Sequence, residues 1–249
     1  MKIAGAVALV TGANRGLGRA YVQALLQAGA AKVYSGIRDP NASIEPGSTP
    51  IKLDVTKSAE VAGAASTCDD VSLLINNAGA LQRSSFIFAP SMDAARSEME
   101  TNYFGTLAMS RAFAGVLGRN GGGALVNMLS VVSWFTYPLS ASQCASKAAA
   151  LSLTDGVRME LRAQGTLVAG VFAGFIDTDM ARGVEAPKSA PFAIAQRVLA
   201  GIERGEEEIL ADARSAAVRE AIRSDPAALR ADMQRLWDAS RVTHRQGQS

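Results

Sequence analysis

The chain alternates short, wholly apolar runs with longer stretches in which apolar residues recur every three or four positions. Ala6–Thr11 (AVALVT) is such a run, broken by Gly12, and predicts a strand covered on both faces. Leu17–Gln27 follows with helical spacing and a glycine stop at Gly29. The alternation then predicts strands over 32–37, 50–53, 71–76, 124–129 and 166–172, with a short one over 208–210. Helices are predicted over 58–66, 92–117 (one long helix), 142–162 and 190–204. Residues 38–49, with Pro40, Pro46 and Gly47, read as a polar loop. Past Asp212, two Ala/Arg-rich stretches flank Asp225-Pro226 and predict a helical extension over 213–240, while 241–249 reads as a disordered tail.

Strands alternating with helices imply right-handed βαβ units, and hence an α/β, doubly wound parallel sheet of the Rossmann type in three layers. The length of 249 residues fits a single domain of this kind, and no linker or internal repeat divides it. Ligands of such sheets bind at the carboxyl ends of the strands, near the point where strand order reverses.

Composition narrows the chemistry. A net charge of +2 argues against nucleic acid or a membrane surface as partner. Near the end, Arg214, Arg219, Arg223, Arg230 and Arg235 are interleaved with Asp212, Glu220, Asp225, Asp232 and Asp238, which reads as a solvated helix face. Cys68 and Cys144 form no disulfide framework, the one histidine is His244, and no metal site is expected. The start lacks an apolar signal segment and no run is long enough for a bilayer, so a cytoplasmic protein is expected.

Between the first strand and first helix lies Thr11-Gly12-Ala13-Asn14-Arg15-Gly16-Leu17-Gly18. Glycines here let the backbone approach a pyrophosphate, and the helix start offers free N–H groups to it. This TGxxxGxG run resembles that of the short-chain dehydrogenase/reductase family. The resemblance continues from about Ala6 to Asp212, through Asp54-Val55, Asn76-Asn77-Ala78-Gly79, Asn102, Ser130, Lys147, and Gly174 with Thr178. It implies a dinucleotide laid along Gly12, Asn14, Arg15, Gly16, Leu17 and Gly18, with Asp54 and Val55 at the adenine. It further implies Asn76 to Gly79 at the adenosine ribose, Ile176 and Thr178 at the nicotinamide carboxamide, and Lys147 serving cofactor and catalysis together. The family's usual Pro-Gly is here Ala173-Gly174.

NAD-preferring folds place an acidic residue at the end of the second strand. This chain has Gly36-Ile37-Arg38, and the Arg38 guanidinium suits a 2′-phosphate, with Arg15 as a second charge. The expected cofactor is NADP(H).

The resemblance also implies a catalytic Asn, Ser, Tyr and Lys, with the Tyr four before the Lys and thirteen after the Ser. Counting from Lys147 and from Ser130 reaches the same residue, Gln143. The expected set is therefore Asn102, Ser130, Gln143 and Lys147. A carboxamide orients a substrate but gives up no proton near neutral pH. Tyr137 lies six residues earlier, on a loop stiffened by Pro138, and Cys144 reads as packed. Trp134, Phe135, Tyr137, Phe86, Phe88, Phe175 and Met180 sit on segments expected around the nicotinamide and suggest a bulky apolar or aromatic small-molecule substrate.

The leading expectation is an NADPH-dependent reductase passing a hydride to a C=O or C=N carbon. Two alternatives stand beside it: a cofactor-binding pseudoenzyme acting as a sensor, and an engineered Tyr-lacking variant of an ordinary ketone reductase. The family's habit of pairing through its long helices implies a homodimer, with a homotetramer as the larger form.

Overall fold

The computed structural model describes residues 1–39 and 41–246, the last five by their backbone. Among the described residues seven parallel strands form one sheet in the order β3-β2-β1-β4-β5-β6-β7. They are β1 (Val7–Thr11), β2 (Lys32–Ile37), β3 (Thr49–Lys52), β4 (Leu73–Asn76), β5 (Ala124–Met128), β6 (Leu167–Phe172) and β7 (Glu208–Leu210). Strand order reverses between β1 and β4, in the register Ala8↔Leu73 to Val10↔Ile75. The doubly wound expectation holds, and predicted strand ends are matched to within two residues.

Helices cover both faces because the strands are apolar on both. On one side α1 (Gly16–Gln27) packs with α6 (Pro191–Arg204), joined by Tyr21, Leu25, Val198 and Ile202 over Val10 and Ile75. On the other, α2 (Ser58–Thr67), α4 (Thr106–Arg119) and α5 (Ala141–Leu161) bring Met109, Phe113, Leu117 and Leu161 over Leu9, Leu74 and Leu125. Burying each such side chain contributes about 1.5–3 kcal/mol.

Two expectations need correction. The single helix over 92–117 is instead α3 (Asp93–Met99), a π turn over Glu100–Gly105, then α4. The widened turn lets Asn102 face inward, and Gly105 lies so near β3's exit that an added Cβ would stand 2.6 Å from Val55 Cγ2. The tail expected to be disordered from 241 is helical through Gln246, because α8 (Pro226–Gln246) continues past Arg241, whose side chain lies over the Phe88 ring. The rest of that expectation, 247–249, lies outside the described residues. α8 follows α7 (Ala213–Ser224), so the predicted pair of terminal helices is present. Among the described residues no helix is long and apolar enough to cross a membrane, and no cluster of potential metal ligands occurs.

Candidate active site

The glycine loop is built by its neighbours. Gly12 sits at φ +67° and Gly16 at φ +52°, a region that disfavours side chains. A Cβ on Gly18 would fall 2.1 Å from the Gly12 carbonyl oxygen, so only glycine permits this closure. The loop is tied to β2 through Ala13 N–H donating to Gly36 O (3.1 Å). It is tied to β4 because Thr11 Oγ1 accepts from Asn77 N–H and Ala78 N–H, each at 2.9 Å. Arg15 begins α1 without a side-chain cap, leaving the first helical N–H groups directed outward.

Other expected residues gather around it. A Cβ on Gly16 would lie 3.1 Å from Thr178 Cγ2, which places the segment after β6 directly over the loop. Asp54, past β3, accepts hydrogen bonds from Thr56 N–H (3.0 Å) and Thr56 O–H (2.8 Å). Burial pushes its acidity the other way, but those two donors, with the Arg38 and Lys57 charges, leave its pKa below the ordinary carboxylate value. Arg38 is exposed at the end of β2 and forms no ion pair with Asp39 among the described residues, where Asp39 accepts instead from Asn41 N–H at 2.9 Å. Within the Asn76–Gly79 run the side chains diverge. Asn77 Nδ2 holds the glycine loop through Thr11 O (2.8 Å). Asn76 turns inward and donates to Asn127 Oδ1 (2.9 Å), which continues to Thr154 Oγ1 (2.9 Å).

Ser130 leaves β5 and caps a 3-10 turn, Val131–Ser133, while its hydroxyl reaches Ala173 O at a long 3.4 Å. Lys147 is buried on α5, and its ammonium donates to Met128 O at 2.6 Å. Burial pushes this ammonium down to about 8. Gln143 lies one helical turn before it, half-buried. Asn102 donates to Ala80 O (3.0 Å) and Ser146 Oγ (2.8 Å) and accepts from Ala80 N–H (2.8 Å), clamping the exit of β4 to α5. Gly79 completes the meeting, since a Cβ there would stand 3.2 Å from Asn102 Oδ1 and 3.9 Å from Lys147 Nζ. Cys144 is fully engaged, accepting from Tyr137 N–H (3.2 Å) and donating to Ser140 O (3.2 Å). Burial pushes its thiol up, so it is a packing group.

Sequence reasoning missed two carboxylates. Glu98, buried on α3, accepts from Gln82 N–H at 2.6 Å and acts with Asn102, one turn on, to hold the backbone after β4. Asp212 accepts from Gly174 N–H (2.8 Å), Ser189 O–H (3.2 Å) and Ser215 N–H (2.7 Å), joining both ends of the 173–190 segment to α7. The Asp-x-x-Ser spacing before an Ala-rich helix was the available signal for the second. Gly174 is required beside it, because a Cβ there would overlap the Arg214 side chain at 2.3 Å.

Known proteins resemble this chain in sequence and fold. A short-chain dehydrogenase structure from Burkholderia cenocepacia, in complex with NADP, is 44% identical and superposes at a TM-score of 0.90, covering 94% of this chain and 99% of its own. A sorbitol dehydrogenase from Cereibacter sphaeroides is 32% identical over 75% of this chain and 76% of its own length. A 3-oxoacyl-(acyl-carrier-protein) reductase from Salmonella typhimurium is 28% identical over 84% of this chain and 88% of its own. The family model described as short chain dehydrogenase matches residues 6–189, which takes in the glycine loop, Asn102, Ser130 and Lys147, and the chain belongs to the short-chain dehydrogenase/reductase family.

Proposed function

We propose that this chain is an NADP(H)-dependent oxidoreductase that passes a hydride to the C=N or C=O carbon of a bulky apolar substrate, at a site formed by Asn102, Ser130, Gln143 and Lys147. The observation that carries the reading is the buried Lys147 ammonium, which donates to Met128 O one turn beyond Gln143. Ser130 stands nearby with a loosely held hydroxyl, a group that a binder of nucleotide alone has no need of, which disfavours the pseudoenzyme alternative.

The residues fit the cofactor. Gly12, Gly16 and Gly18 let the loop close tightly against Ala78, Thr178 and its own carbonyl, where a Cβ would crowd it, and the uncapped start of α1 suits a pyrophosphate. Asn14, Leu17, Asp54, Val55, Asn77, Ala78, Gly79, Gly174, Ile176 and Thr178 would complete the cofactor's surroundings, and Asn76 would support them from inside. The cofactor when bound supplies the hydride. Its NADP form is supported by the B. cenocepacia complex and by Arg38, free of any ion pair among the described residues. Arg15 pairs with Asp179 at 3.4 Å, both well exposed, a contact weak enough to yield to a phosphate.

Ser130 O–H, loosely held, would turn to the substrate's heteroatom, and the Gln143 amide would orient it. Neither ionises near neutral pH, nor does Asn102, so Lys147 is the proton donor left in the set. Iminium reduction needs no proton, because hydride addition gives a neutral amine.

NADPH is expected to bind at least about ten-fold more tightly than NADH in a cofactor-fluorescence titration, a preference of about 1.4 kcal/mol. Arg38→Asp should erase or invert it. Equal affinities in the parent, or an unchanged ratio in the variant, would rule the assignment out.

We infer a homodimer formed through α4 and α5. Phe104, in the π turn that leads into α4, and Met159 on α5 are 48% and 73% exposed. Light scattering should give twice the 25.9 kDa chain mass, and a monomer at micromolar concentration would contradict it. The free, buried Cys68 and Cys144 are consistent with a cytoplasmic setting.

A further inference from the structure

Among the described residues Arg83 is the one residue other than glycine whose backbone lies in the left-handed region, at φ +54°. A side chain there crowds the backbone, and arginine lacks the short polar group that offsets the cost in asparagine. The chain holds it there from both sides. The Gln82 N–H before it donates to the buried Glu98 carboxylate at 2.6 Å. The Ser84 carbonyl after it accepts from the Ser142 N–H (3.3 Å) and the Ser142 hydroxyl (3.4 Å), one residue before Gln143 on α5. Strain of this kind persists where its surroundings fix it, and it gathers where the strained residue has a task.

The side chain shows what that task is. From the loop after β4, Arg83 Nη2 donates to Met180 O (3.1 Å) and Arg182 O (2.9 Å) in the segment after β6. Strand order places β5, with Ser130 at its exit, between those two strands. The segment is closed at its base, where Asp177 N–H donates to Ser189 O (2.9 Å) and Ser189 N–H to Phe175 O (2.8 Å). Its outer part, residues 178–188, has two polar ties to residues outside the 173–190 segment, among the described residues. They are the Arg83 hydrogen bonds and the Arg15–Asp179 pair at 3.4 Å. Thr178 lies in this outer part, against Gly16. Arg15 is also expected at the 2′-phosphate, and once it turns there Arg83 is the polar tie that remains.

We propose that Arg83 is a positioning residue of the site: its guanidinium straps the segment after β6 to the loop after β4, and so holds Thr178 in register with Gln143 and Lys147. This rests on the reductase reading above, in which Thr178 meets the nicotinamide and Lys147 serves the substrate. The loop end of the strap is fixed to the catalytic wall, because Ser84 is bonded to α5 and Gly79 opens the same loop close to Lys147. Arg83 acts through these two walls, by fixing the distance between them. An error of about 1 Å in such a distance costs up to about 10²-fold in rate.

The test compares Arg83→Gly and Arg83→Ala with the parent, each as the full chain with saturating NADP⁺. Both variants lose the strap, but only glycine also releases the backbone strain. Brief trypsin digestion, read by mass spectrometry, should cut after Arg182 and Lys188 about ten-fold faster in both variants, since cleavage reports how often the segment opens. The Tm of Arg83→Gly should exceed that of Arg83→Ala by about 2–4 °C. With NADPH and N-methyl-3,4-dihydroisoquinolinium as probe, kcat should fall about ten-fold in both variants. NADPH affinity should stay within about three-fold of the parent's, because the phosphate contacts are intact. A residue serving the fold alone would give activities that follow Tm, with glycine the better variant. Unchanged cleavage in both variants, a parental kcat in Arg83→Gly, or kcat values that follow Tm overturn the proposal. The reductase reading fails by a different result: proteolysis shows the strap, yet the parent passes no hydride from NADPH to the probe or to 2-acetonaphthone.

Discussion

Ketone reduction by Gln143→Tyr is expected to exceed that of the parent protein by about 10²-fold or more, the lower range of what a positioned proton donor contributes. Gln143 lies in the first turn of α5, one turn before the buried Lys147. A phenol there would stand beside an ammonium, which stabilises the phenolate and makes the phenol a better acid. Reduction of a permanently charged iminium should change by no more than a few-fold, since its product takes up no proton from the enzyme. The measurement is the ratio of the two rates in each protein, which cancels differences in active fraction. A flat ketone rate with cofactor affinity retained would show that position 143 is not where the proton is delivered. Brisk ketone turnover by the parent would point to a donor besides Lys147, and Tyr137→Phe would then identify or dismiss the loop phenol.

Lys147→Met is expected to reduce ketone turnover by about 10²-fold or more, for the same reason, without unfolding the protein. Among the described residues the buried ammonium has one hydrogen-bond acceptor, Met128 O, and its pKa of about 8 lies below the ordinary 10.5. The folded state therefore binds fewer protons than the unfolded chain between those two values, and stability rises with pH across that window. Below about pH 8 the cost of burying the cation is present in full. Methionine removes that cost, so the variant's Tm should equal or exceed the parent's near pH 7, and the difference should shrink as pH rises toward 10.5. In the parent, the ketone rate should fall as pH rises through about 8, as the ammonium is lost. The iminium rate should hold or rise there, because a neutral Lys147 no longer repels a cationic substrate. Parallel pH profiles for the two substrates would remove Lys147 from the proton's path, and a collapsed Tm in Lys147→Met would make it a structural residue instead.

Much of the fold was legible along the chain because it depends on short-range pattern. An unbroken apolar run such as Ala8–Val10 can be satisfied only by a strand covered on both faces, and the helices between such runs force parallel pairing. The glycine loop was equally legible: three glycines between a buried strand and a helix are needed where a Cβ on Gly18 would meet the Gly12 carbonyl. Ser130 and Lys147 were singled out by the family resemblance, and the spacing from both reached Gln143.

What the tertiary structure decided lies in contacts between residues distant in the chain. A helical period does not reveal that the turn over Glu100–Gly105 is one residue wider, because the cause is Asn102 reaching Ala80, twenty-two positions away, and Val55 meeting Gly105. The direction of Asn76, into the interior toward Asn127, follows from the β4–β5 pairing. Asp212 and Arg214 looked like one side of a solvated charge pattern. They are instead fixed against Gly174 and Phe175, since a carboxylate near three donors and a guanidinium over an aromatic face gain more there than in water. The Trp237–Phe88 stack joins residues 149 positions apart, and only packing α8 across the rim of the sheet brings them together.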